Sequence, residues 1–214
     1  SVPDIVNHFR ELNKKSEILP AAFDGNILKS FKTNIERDIP FSFIGGIASG
    51  HERRKDLITE LASKTPLQWF GYKAPTKKSF RNTILKISGN NFLEKSFKKE
   101  IWGKEMYHTL LQSKITFNAH IDTAKGHRVN MRMYEATGIL TDRPYNDGVS
   151  YFEDGKEVIM YSDINEAIEK VNFYLSHPEE LKIIARQGQM KTLRHFNYDT
   201  NMQLMLNYFN EILS

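Results

Sequence analysis

The spacing of apolar residues along the chain predicts alternating strands and helices. Short apolar runs predict strands at residues 41–44, 67–70, 114–118, 139–141 and 157–161. Apolar positions three and four residues apart predict helices at residues 51–63, 104–111, 128–137, 163–175, 178–193 and 198–213. Residues 1–40 are predicted to be irregular, with a brief strand at 17–20 that Pro20 ends, and residues 73–100 fit neither pattern.

Alternation of strands with helices of this length is typical of an α/β fold. Such a chain forms a Rossmann-like parallel sheet with helices on both faces. Sheets of this kind bind ligands in the crevice beyond the carboxyl ends of their strands. Ligand-binding residues are therefore expected in the loops that follow Ile44, Phe70, Phe117 and Thr141.

Composition narrows the class of protein further. Of 214 residues, 40% are hydrophobic and 26% are charged, as in ordinary globular domains, and no apolar run reaches the roughly 18 residues of a transmembrane helix. The chain has no cysteine, which excludes disulfides and thiolate chemistry and fits the reducing cytoplasm, where we expect the protein to reside. The net charge of +4 is compatible with phosphate-bearing ligands or peripheral association with an anionic membrane. Nucleic acid is not expected as a partner, because no nucleic-acid-binding motif is present.

The loop after the first predicted strand combines glycines with cations. Residues 45–55 hold three glycines, Gly46 among them, followed by Arg53, Arg54 and Lys55 at the start of a predicted helix. Glycine lets the backbone approach a ligand closely, and helix N-termini attract phosphate. A flexible loop followed by a solvated run of charge would explain the same residues. The spacing matches neither the dinucleotide-binding nor the Walker motif, so nicotinamide and P-loop chemistry are not expected.

A second polar segment spans residues 126–138. On a helix, Arg128, Arg132 and Glu135 would lie on one side, at spacings of four and three residues. One interpretation is a routine intrahelical ion pair between Arg132 and Glu135. The other places the helix N-terminus against a diphosphate and lets Glu135 accept hydrogen bonds from ribose hydroxyls. The spacing alone does not separate the two.

Three runs of the sequence resemble a known family. Residues 102–107, 113–120 and 130–142 contain the patterns Gly-x-x-Met-Tyr, Ser-Lys-Ile-x-x-Asn-x-His and Asn-x-Arg-x-x-Glu-Ala. Together they resemble the C-terminal, nucleotide-sugar-binding domain of GT-B glycosyltransferases, most closely the spore-maturation-type, group-1-like transferases. Weaker similarity extends from about residue 41 to residue 213. The resemblance implies that the chain is one half of a GT-B fold.

What is known of the family implies domain bounds and a role for two residues. Residues 41–214 would form the donor-binding domain, and residues 1–40 an interdomain segment that leads into it. Glu135 matches the second glutamate of the family's Glu-x7-Glu motif, which holds the donor ribose. His127 stands eight residues earlier, where the first glutamate is expected. The sequence departs from the family pattern at this position, so the family's glutamate contact to the donor sugar and its retaining mechanism do not carry over directly to this chain.

Five further residues are candidates for contact with the donor. Arg53 or Arg54 matches the basic position that faces the diphosphate in the family. Asn118 and His120 lie at the carboxyl end of a predicted strand, where a ligand could reach them, although a histidine at such a place is often only a structural hydrogen-bonding residue. Asn130 either caps the predicted helix or contacts phosphate.

Tyr72 is the candidate for contact with the nucleobase. It follows the second predicted strand, where this fold places base contacts, and it would stack on uracil or guanine unless it is simply a surface aromatic residue. The acidic residues Asp142, Asp147, Glu153 and Asp154 belong to one loop region and are expected to be solvated. No cluster has the spacing of metal ligands, so neither a metal nor a cofactor is expected.

These features predict a glycosyltransferase fragment that binds a nucleotide-diphosphate sugar for transfer to an unknown acceptor. An N-terminal acceptor-binding domain is expected to be missing, and the isolated domain is expected to be inactive, with Met202, Leu206 and Phe209 of its last helix exposed. No catalytic residue is assigned. The alternatives are a non-catalytic nucleotide- or phosphate-binding α/β module and a flavodoxin-like interaction domain.

Overall fold

A computed structural model describes residues 3–32, 34–47, 52–72, 92–120, 126–146 and 148–213, without the side chains of residues 52 and 53. Its strands are β1 Ile39–Ile44, β2 Leu67–Phe70, β3 Phe97–Lys99, β4 Ser113–Asn118, β5 Ile139–Asp142 and β6 Ile159–Tyr161. They form one six-stranded sheet in the order β3-β2-β1-β4-β5-β6, and every pair is parallel. The predicted α/β fold with a Rossmann-like parallel sheet is confirmed.

Helices connect most of these strands and close the chain. Within the described ranges they are α1 Pro3–Glu11, α2 Glu52–Lys64, α3 Phe92–Ser96, α4 Gly103–Gln112, α5 Arg132–Glu135, α6 Ile164–Ser176, α7 Pro178–His195 and α8 Tyr198–Leu213. A short 3₁₀ helix spans Gly25–Ser30.

The segments at residues 3–11, 17–20 and 97–99 differ from the sequence prediction. Helix α1 was not predicted; Val6 is its only buried residue, so its apolar positions do not mark a wide buried face. The strand predicted at residues 17–20 is wrong, because the segment pairs with none of the described strands. The carbonyl of Pro20 instead accepts a side-chain hydrogen bond from Asn201. Strand β3 was missed because it is a short edge strand with exposed lysines, a composition that protects sheet edges from aggregation but hides the strand in the sequence.

Side chains that alternate along the strands build one apolar layer on each face of the sheet. On one face, Phe43 of β1 packs in a cluster with Ile58 of α2 and Val171 of α6. On the other face, Ile44 of β1 packs in a cluster with Leu110 of α4. Helices therefore cover both faces, as predicted.

The strand order defines where a ligand can bind. β1 lies between β2 and β4, so the chain runs outward in one direction through β2 and β3 and then restarts on the other side with β4. At such a reversal, the connections that leave the two central strands diverge and open a crevice beyond their carboxyl ends. In this chain the crevice lies beyond Ile44 and Asn118.

Helix α8 contributes little to the core. Asn201 is its only buried residue, whereas Met202, Leu206 and Phe209 are 62%, 53% and 50% exposed, which confirms the predicted exposure of these three side chains. None of the described helices combines the length and the hydropathy that crossing a membrane requires.

We expect the backbone amides of α8 to exchange with solvent much faster than those of α6. Local opening costs little where few apolar side chains are buried, and α6 buries Ala167 and Val171 whereas α8 buries no apolar residue. Hydrogen exchange followed by mass spectrometry measures both helices in one experiment, with α6 as the internal control. Equal protection of the two helices would contradict this expectation.

Candidate functional site

The loop after β1 holds backbone close to other groups at the carboxyl edge of the sheet. The N–H of Gly45 donates to the carbonyl of Phe70 (2.9 Å), and Nε1 of Trp69 donates to the carbonyl of Gly45 (2.8 Å). A Cβ atom on Gly46 would lie 2.5 Å from the ring of Tyr72, so only glycine fits there without a shift of that ring. The predicted site residues Gly46 and Tyr72 are thus in contact.

Tyr72 and Trp102 form a stacked aromatic pair beside this loop. Their ring centroids are 5.6 Å apart and their planes differ by 18°. Tyr72 is 37% exposed and Trp102 is 62% exposed, so the larger accessible aromatic surface belongs to Trp102. Sequence analysis did not select Trp102, although it begins the run 102–107 that carries the family resemblance, and that position is the signal that could have identified it.

Arg54 joins the ends of the two central strands. Its Nη2 donates to the carbonyl of Ala119 (2.8 Å), and its Nη1 donates to the carbonyl of Gly46 (3.4 Å). Its Nε is buried and has no hydrogen-bond partner among the described residues. Burial lowers the pKa of the guanidinium, and the charges of Tyr72 and Asp142 oppose that effect. Among the described residues no carboxylate forms an ion pair with Arg54, so part of its hydrogen-bonding capacity is available to an anion.

The helix predicted at residues 128–137 is wrong in its first half, because α5 comprises only residues 132–135. Arg128 is extended, forms a bridge with Ser150, and donates its backbone N–H to the carbonyl of Val149 (2.7 Å). These tertiary partners outweigh the local helical pattern. Arg128 therefore does not share a helix side with Arg132 and Glu135, and a single helical turn has too few aligned amides for the helix-terminal phosphate site that the sequence suggested.

Arg132 and Glu135 form the ion pair that their spacing allowed, within a cluster that also includes Tyr107. Nη1 of Arg132 lies 2.9 Å from Oε2 of Glu135, and the hydroxyl of Tyr107 donates to Oε1 of Glu135 (3.1 Å). Burial, followed by the charge and the hydrogen bond of Glu135, raises the pKa of Tyr107 to about 12. Nη2 of Arg132 is 3.5 Å from the carbonyl oxygen of Ile44, which places this guanidinium at the end of β1.

Asn118 and Asn130 are joined by reciprocal hydrogen bonds. Nδ2 of Asn130 donates to Oδ1 of Asn118 (3.0 Å), and Nδ2 of Asn118 lies 3.2 Å from Oδ1 of Asn130 and 3.2 Å from Oγ1 of Thr141. The pair fastens the segment before α5 to the end of β4. Asn130 does not cap α5, because the residue at the cap position is Met131.

His120, Asp142 and Arg128 form a buried polar cluster at the ends of β4 and β5. Nδ1 of His120 is 2.9 Å from Oδ1 of Asp142, and the backbone N–H of His120 donates to the same oxygen (3.1 Å). Nη2 of Arg128 is 2.8 Å from Oδ2 of Asp142. The side chains of His120, Arg128 and Asp142 are 3%, 3% and 15% exposed, so the prediction of a solvated Asp142 is wrong.

The chemistry of this cluster leaves one ring nitrogen of His120 available. Burial would raise the pKa of Asp142, but the hydrogen bonds and charges of His120 and Arg128 outweigh burial and lower it. An ionised carboxylate can only accept, so Nδ1 of His120 carries the hydrogen that faces Asp142. Nε2 of His120 is buried and has no hydrogen-bond partner in the described part of the chain. Orientation by a carboxylate is the usual way in which a histidine is prepared to contact a ligand.

The remaining predicted residues either have other partners or lie outside the described residues. His127 is buried, its Nδ1 accepts from the N–H of Val149 (3.0 Å), and its Nε2 is 3.7 Å from Asp4. The side chain of Arg53 and all of Asp147 lie outside the described residues. Glu153 and Asp154 pair with Lys156 and Arg143, and these pairs are partly or largely exposed.

The carboxyl edge therefore gathers most of the predicted site residues. The ends of β1, β2, β4 and β5 hold Gly46, Arg54, Tyr72, Asn118, His120, Asn130, Arg132 and Glu135. Sequence analysis missed Trp102, Tyr107 and Asp142 as members of this edge, and it placed Arg128 on a helix that the structure does not contain. Asp142 directly follows a predicted strand, the same signal that identified Asn118 and His120. In the ranges that the structure describes, no three histidine or carboxylate side chains are placed to hold a metal ion.

Comparison with known proteins identifies the family of this chain. A family model described as glycosyl transferase-like matches residues 54–207, which is most of the chain. The chain belongs to the glycosyl transferase-like family. The matched range begins at Arg54 and includes the runs 102–107, 113–120 and 130–142, so the glycosyltransferase resemblance stated from the sequence is confirmed. A comparison with curated protein sequences found no match.

Solved glycosyltransferase structures share the fold of this glycosyl transferase-like chain. HepE from Anabaena, solved in complex with UDP-glucose, matches 98% of the chain with a TM-score of 0.71 and 12% identity. A glycosyltransferase from Rickettsia africae matches 100% with a TM-score of 0.71 and 11% identity. Sucrose-phosphate synthase from Thermosynechococcus elongatus matches 100% with a TM-score of 0.64 and 12% identity. The chain covers only 62%, 62% and 57% of these three proteins.

Proposed function

We propose that this chain is the donor-binding half of a glycosyltransferase and holds a nucleotide-diphosphate sugar at the carboxyl edge of its sheet. The observation that carries the proposal is the placement of two guanidinium groups where the strand order reverses. Arg54 contacts the carbonyls of Gly46 and Ala119, and Arg132 approaches the carbonyl of Ile44. These contacts fix both cations beside the crevice in which open parallel sheets bind their ligands.

The diphosphate is assigned to Arg54 and the loop beside it. A guanidinium presents its N–H groups in a fixed fork that matches phosphate oxygens, and Arg54 has an unpartnered Nε and no carboxylate partner among the described residues. Gly46 places its backbone beside Arg54, with the ring of Tyr72 filling the space that a side chain would take. Arg53, the preceding residue of the same helix, is assigned to the same role on the basis of the family resemblance.

The nucleoside is assigned to Glu135 and to the aromatic pair. Oε1 of Glu135 accepts a hydrogen bond from Tyr107, and Oε2 forms an ion pair with Arg132. Both oxygens have a further lone pair that can accept from a ribose hydroxyl. The exposed ring of Trp102, backed by Tyr72, offers a flat surface for a base. HepE, which shares the fold, has been crystallised with UDP and with UDP-glucose.

The donor sugar is assigned to His120, with Asn118 and Asn130 as its supporting neighbours. The buried Nε2 of His120 has no partner in the described part of the chain, and Asp142 fixes the orientation of the ring. A hydroxyl of the sugar would donate to this nitrogen and complete the hydrogen bond. His127 is not assigned to the sugar, because the backbone of Val149 engages it.

Sugar transfer from such a donor requires stabilisation of charge on the leaving diphosphate. The transition state of glycosyl transfer resembles an oxocarbenium ion, and negative charge grows on the departing phosphate oxygens. Preorganised cations in a partly buried site stabilise that charge effectively, and the desolvated Arg54 and Arg132 are suited to the role. The acceptor pocket and a general base are assigned to a second domain, as the resemblance to GT-B enzymes implies.

We expect Arg54→Gln to weaken the binding of UDP or GDP by about 10- to 150-fold, because a hydrogen bond to a charged group contributes about 1.5–3 kcal/mol. Isothermal titration of both nucleotides measures the loss. Arg194→Gln, at an exposed position near the end of α7, is the matched control and should leave affinity unchanged. An Arg54→Gln variant that binds as tightly as the unmodified chain would refute the assignment of the diphosphate.

Removal of divalent metal ions is expected to leave nucleotide binding unchanged within about twofold, because guanidinium groups supply the positive charge at the diphosphate. The measurement is a pair of titrations with UDP or GDP, one with excess EDTA and one with added magnesium or manganese. A strict requirement for either metal would contradict this part of the proposal.

Transfer itself is tested on the complete protein that contains this chain. Robust release of nucleoside diphosphate in the presence of a sugar acceptor would support an active transferase. Nucleotide binding without transfer by that complete protein would instead favour a non-catalytic nucleotide-binding module.

A further inference from the structure

The opposite edge of the sheet contains a basic cavity. A concavity of about 410 Å³ lies between the segment that precedes β1, the start of β4 and the first turns of α7. Among the described residues, its charged lining consists of Arg37, Lys114, Lys182 and Arg186, with Glu179 as the single carboxylate. This volume is in the range that holds small-molecule ligands.

The cations of this cavity are poorly neutralised. The one ion pair among its lining residues joins Lys182 to Glu179 at 3.8 Å, and both side chains are more than 75% exposed, so water screens it. In the described part of the chain, Arg37, Lys114 and Arg186 form no ion pair. The whole chain has a net charge of only +4, so much of its positive excess is gathered in this cavity.

Arg37 is the most enclosed of the four cations. Its Nη2 donates to Oγ1 of Thr137 (3.0 Å), which holds the guanidinium against the end of the segment that follows α5. Burial lowers its pKa, so the surroundings disfavour its charge instead of compensating it. A bound anion would supply the missing compensation, and Arg186 and Lys114 could contact the same ligand.

This cavity is separate from the proposed donor site. Lys114 stands at the start of β4 and Asn118 at its end, and four residues of strand span about 13 Å. The donor site lies beyond the carboxyl ends of the strands, whereas this cavity lies at their amino ends.

We infer that the cavity at the amino edge binds a phosphate-bearing ligand through Arg37, Arg186 and Lys114. The shared chemistry is the phosphate group, whether it belongs to a free metabolite or to a lipid headgroup at a membrane surface. The inference does not depend on the proposed function, because it rests on a different set of residues.

A two-dimensional NMR titration with inorganic phosphate tests the inference at each edge separately. Saturable shifts are expected at the amides of Lys114 and Leu181, and Arg37→Gln should lower the affinity measured there by about 10-fold or more. Shifts at Gly46 and Ala119 report the donor site independently and should be unaffected by this change. Arg186→Gln, at an exposed position, serves as the second variant if Arg37→Gln does not fold.

Vesicles distinguish the two sources of phosphate. Sedimentation is compared between vesicles of phosphatidylcholine alone and vesicles with added phosphatidylglycerol. Sedimentation with the anionic vesicles that Arg37→Gln abolishes would identify a lipid headgroup, and phosphate binding without sedimentation would identify a free ligand. If phosphate shifts only the amides of the donor edge and neither vesicle sediments the protein, the inference is overturned. Binding that persists unchanged in a chain carrying both Arg37→Gln and Arg186→Gln would also overturn it.

Discussion

Asp142→Asn is expected to lower the free energy of unfolding by about 3–5 kcal/mol, which is the usual cost of removing one partner from a buried ion pair. The carboxylate of Asp142 accepts from His120 and pairs with Arg128, and the side chains of both partners are 3% exposed. Without the negative charge, Arg128 would remain buried with no carboxylate partner among the described residues. Chemical denaturation measures the change, and a loss below about 1 kcal/mol would contradict the structural role assigned to the cluster.

A matched substitution on the surface controls for the loss of one carboxylate charge. Glu153 pairs with Lys156, and the two side chains are 65% and 56% exposed. Glu153→Gln should change stability by less than about 1 kcal/mol, because water screens exposed pairs.

The pH dependence of the free energy of unfolding tests whether the charge of Asp142 causes the loss of stability in Asp142→Asn. The pKa of Asp142 in the folded protein lies below its ordinary value of 3.8. The resulting stabilisation is therefore fully present above the unfolded-state pKa and is lost as the pH falls through the lower folded-state pKa. The difference in stability between the unmodified chain and Asp142→Asn should narrow below about pH 4. A difference that stays constant down to strongly acidic pH would argue against the charge of Asp142 as its cause.

Glu135→Gln is expected to weaken the binding of UDP or GDP by about 10- to 150-fold, through the loss of a charged acceptor for the ribose hydroxyls. The substitution should also reduce stability, because Glu135 is the ion-pair partner of the largely buried Arg132. It should lower the pKa of Tyr107 from about 12, since the charge of Glu135 contributes to that value. Calorimetric titration, thermal unfolding and tyrosinate absorbance measure the three effects.

Tyr107→Phe separates the ligand contact from the structural contact. It removes the hydrogen bond to Oε1 of Glu135 but leaves the pair with Arg132 intact, so nucleotide affinity should change much less than in Glu135→Gln. Unchanged affinity in Glu135→Gln would remove the ribose role, whatever happens to stability.

The sheet was predictable from the sequence because its strands are buried on both faces. Runs such as residues 41–44 and 67–70 are nearly continuously apolar, as is typical of strands in parallel sheets. Because strands alternate with helices along the sequence, the helices act as the crossover connections that parallel strands need. The helix at residues 128–137 was mispredicted for the opposite reason. Arg128 has the spacing of a helical residue, but its partners are Ser150 and Asp142, which local periodicity does not reveal.

The sequence predicted where the candidate site lies better than it predicted the contacts among the side chains of the site. The rule that ligands bind beyond the carboxyl ends of parallel strands selected Gly46, Arg54, Asn118 and His120, and the structure brings these four residues to that edge of the sheet. It did not show that Asp142 is buried, because burial depends on Arg128 and His120, which lie 14 and 22 residues away in the chain. Trp102 was missed because an exposed aromatic residue has no distinctive local pattern.

A crystal structure of this chain with UDP or GDP tests the central proposal most directly. The account predicts a diphosphate within hydrogen-bonding distance of Arg54 beyond the ends of β1 and β4, with a ribose hydroxyl on Glu135 and the base beside Trp102. A nucleotide bound elsewhere, for example in the basic cavity at Arg37, with the carboxyl edge empty, would contradict it.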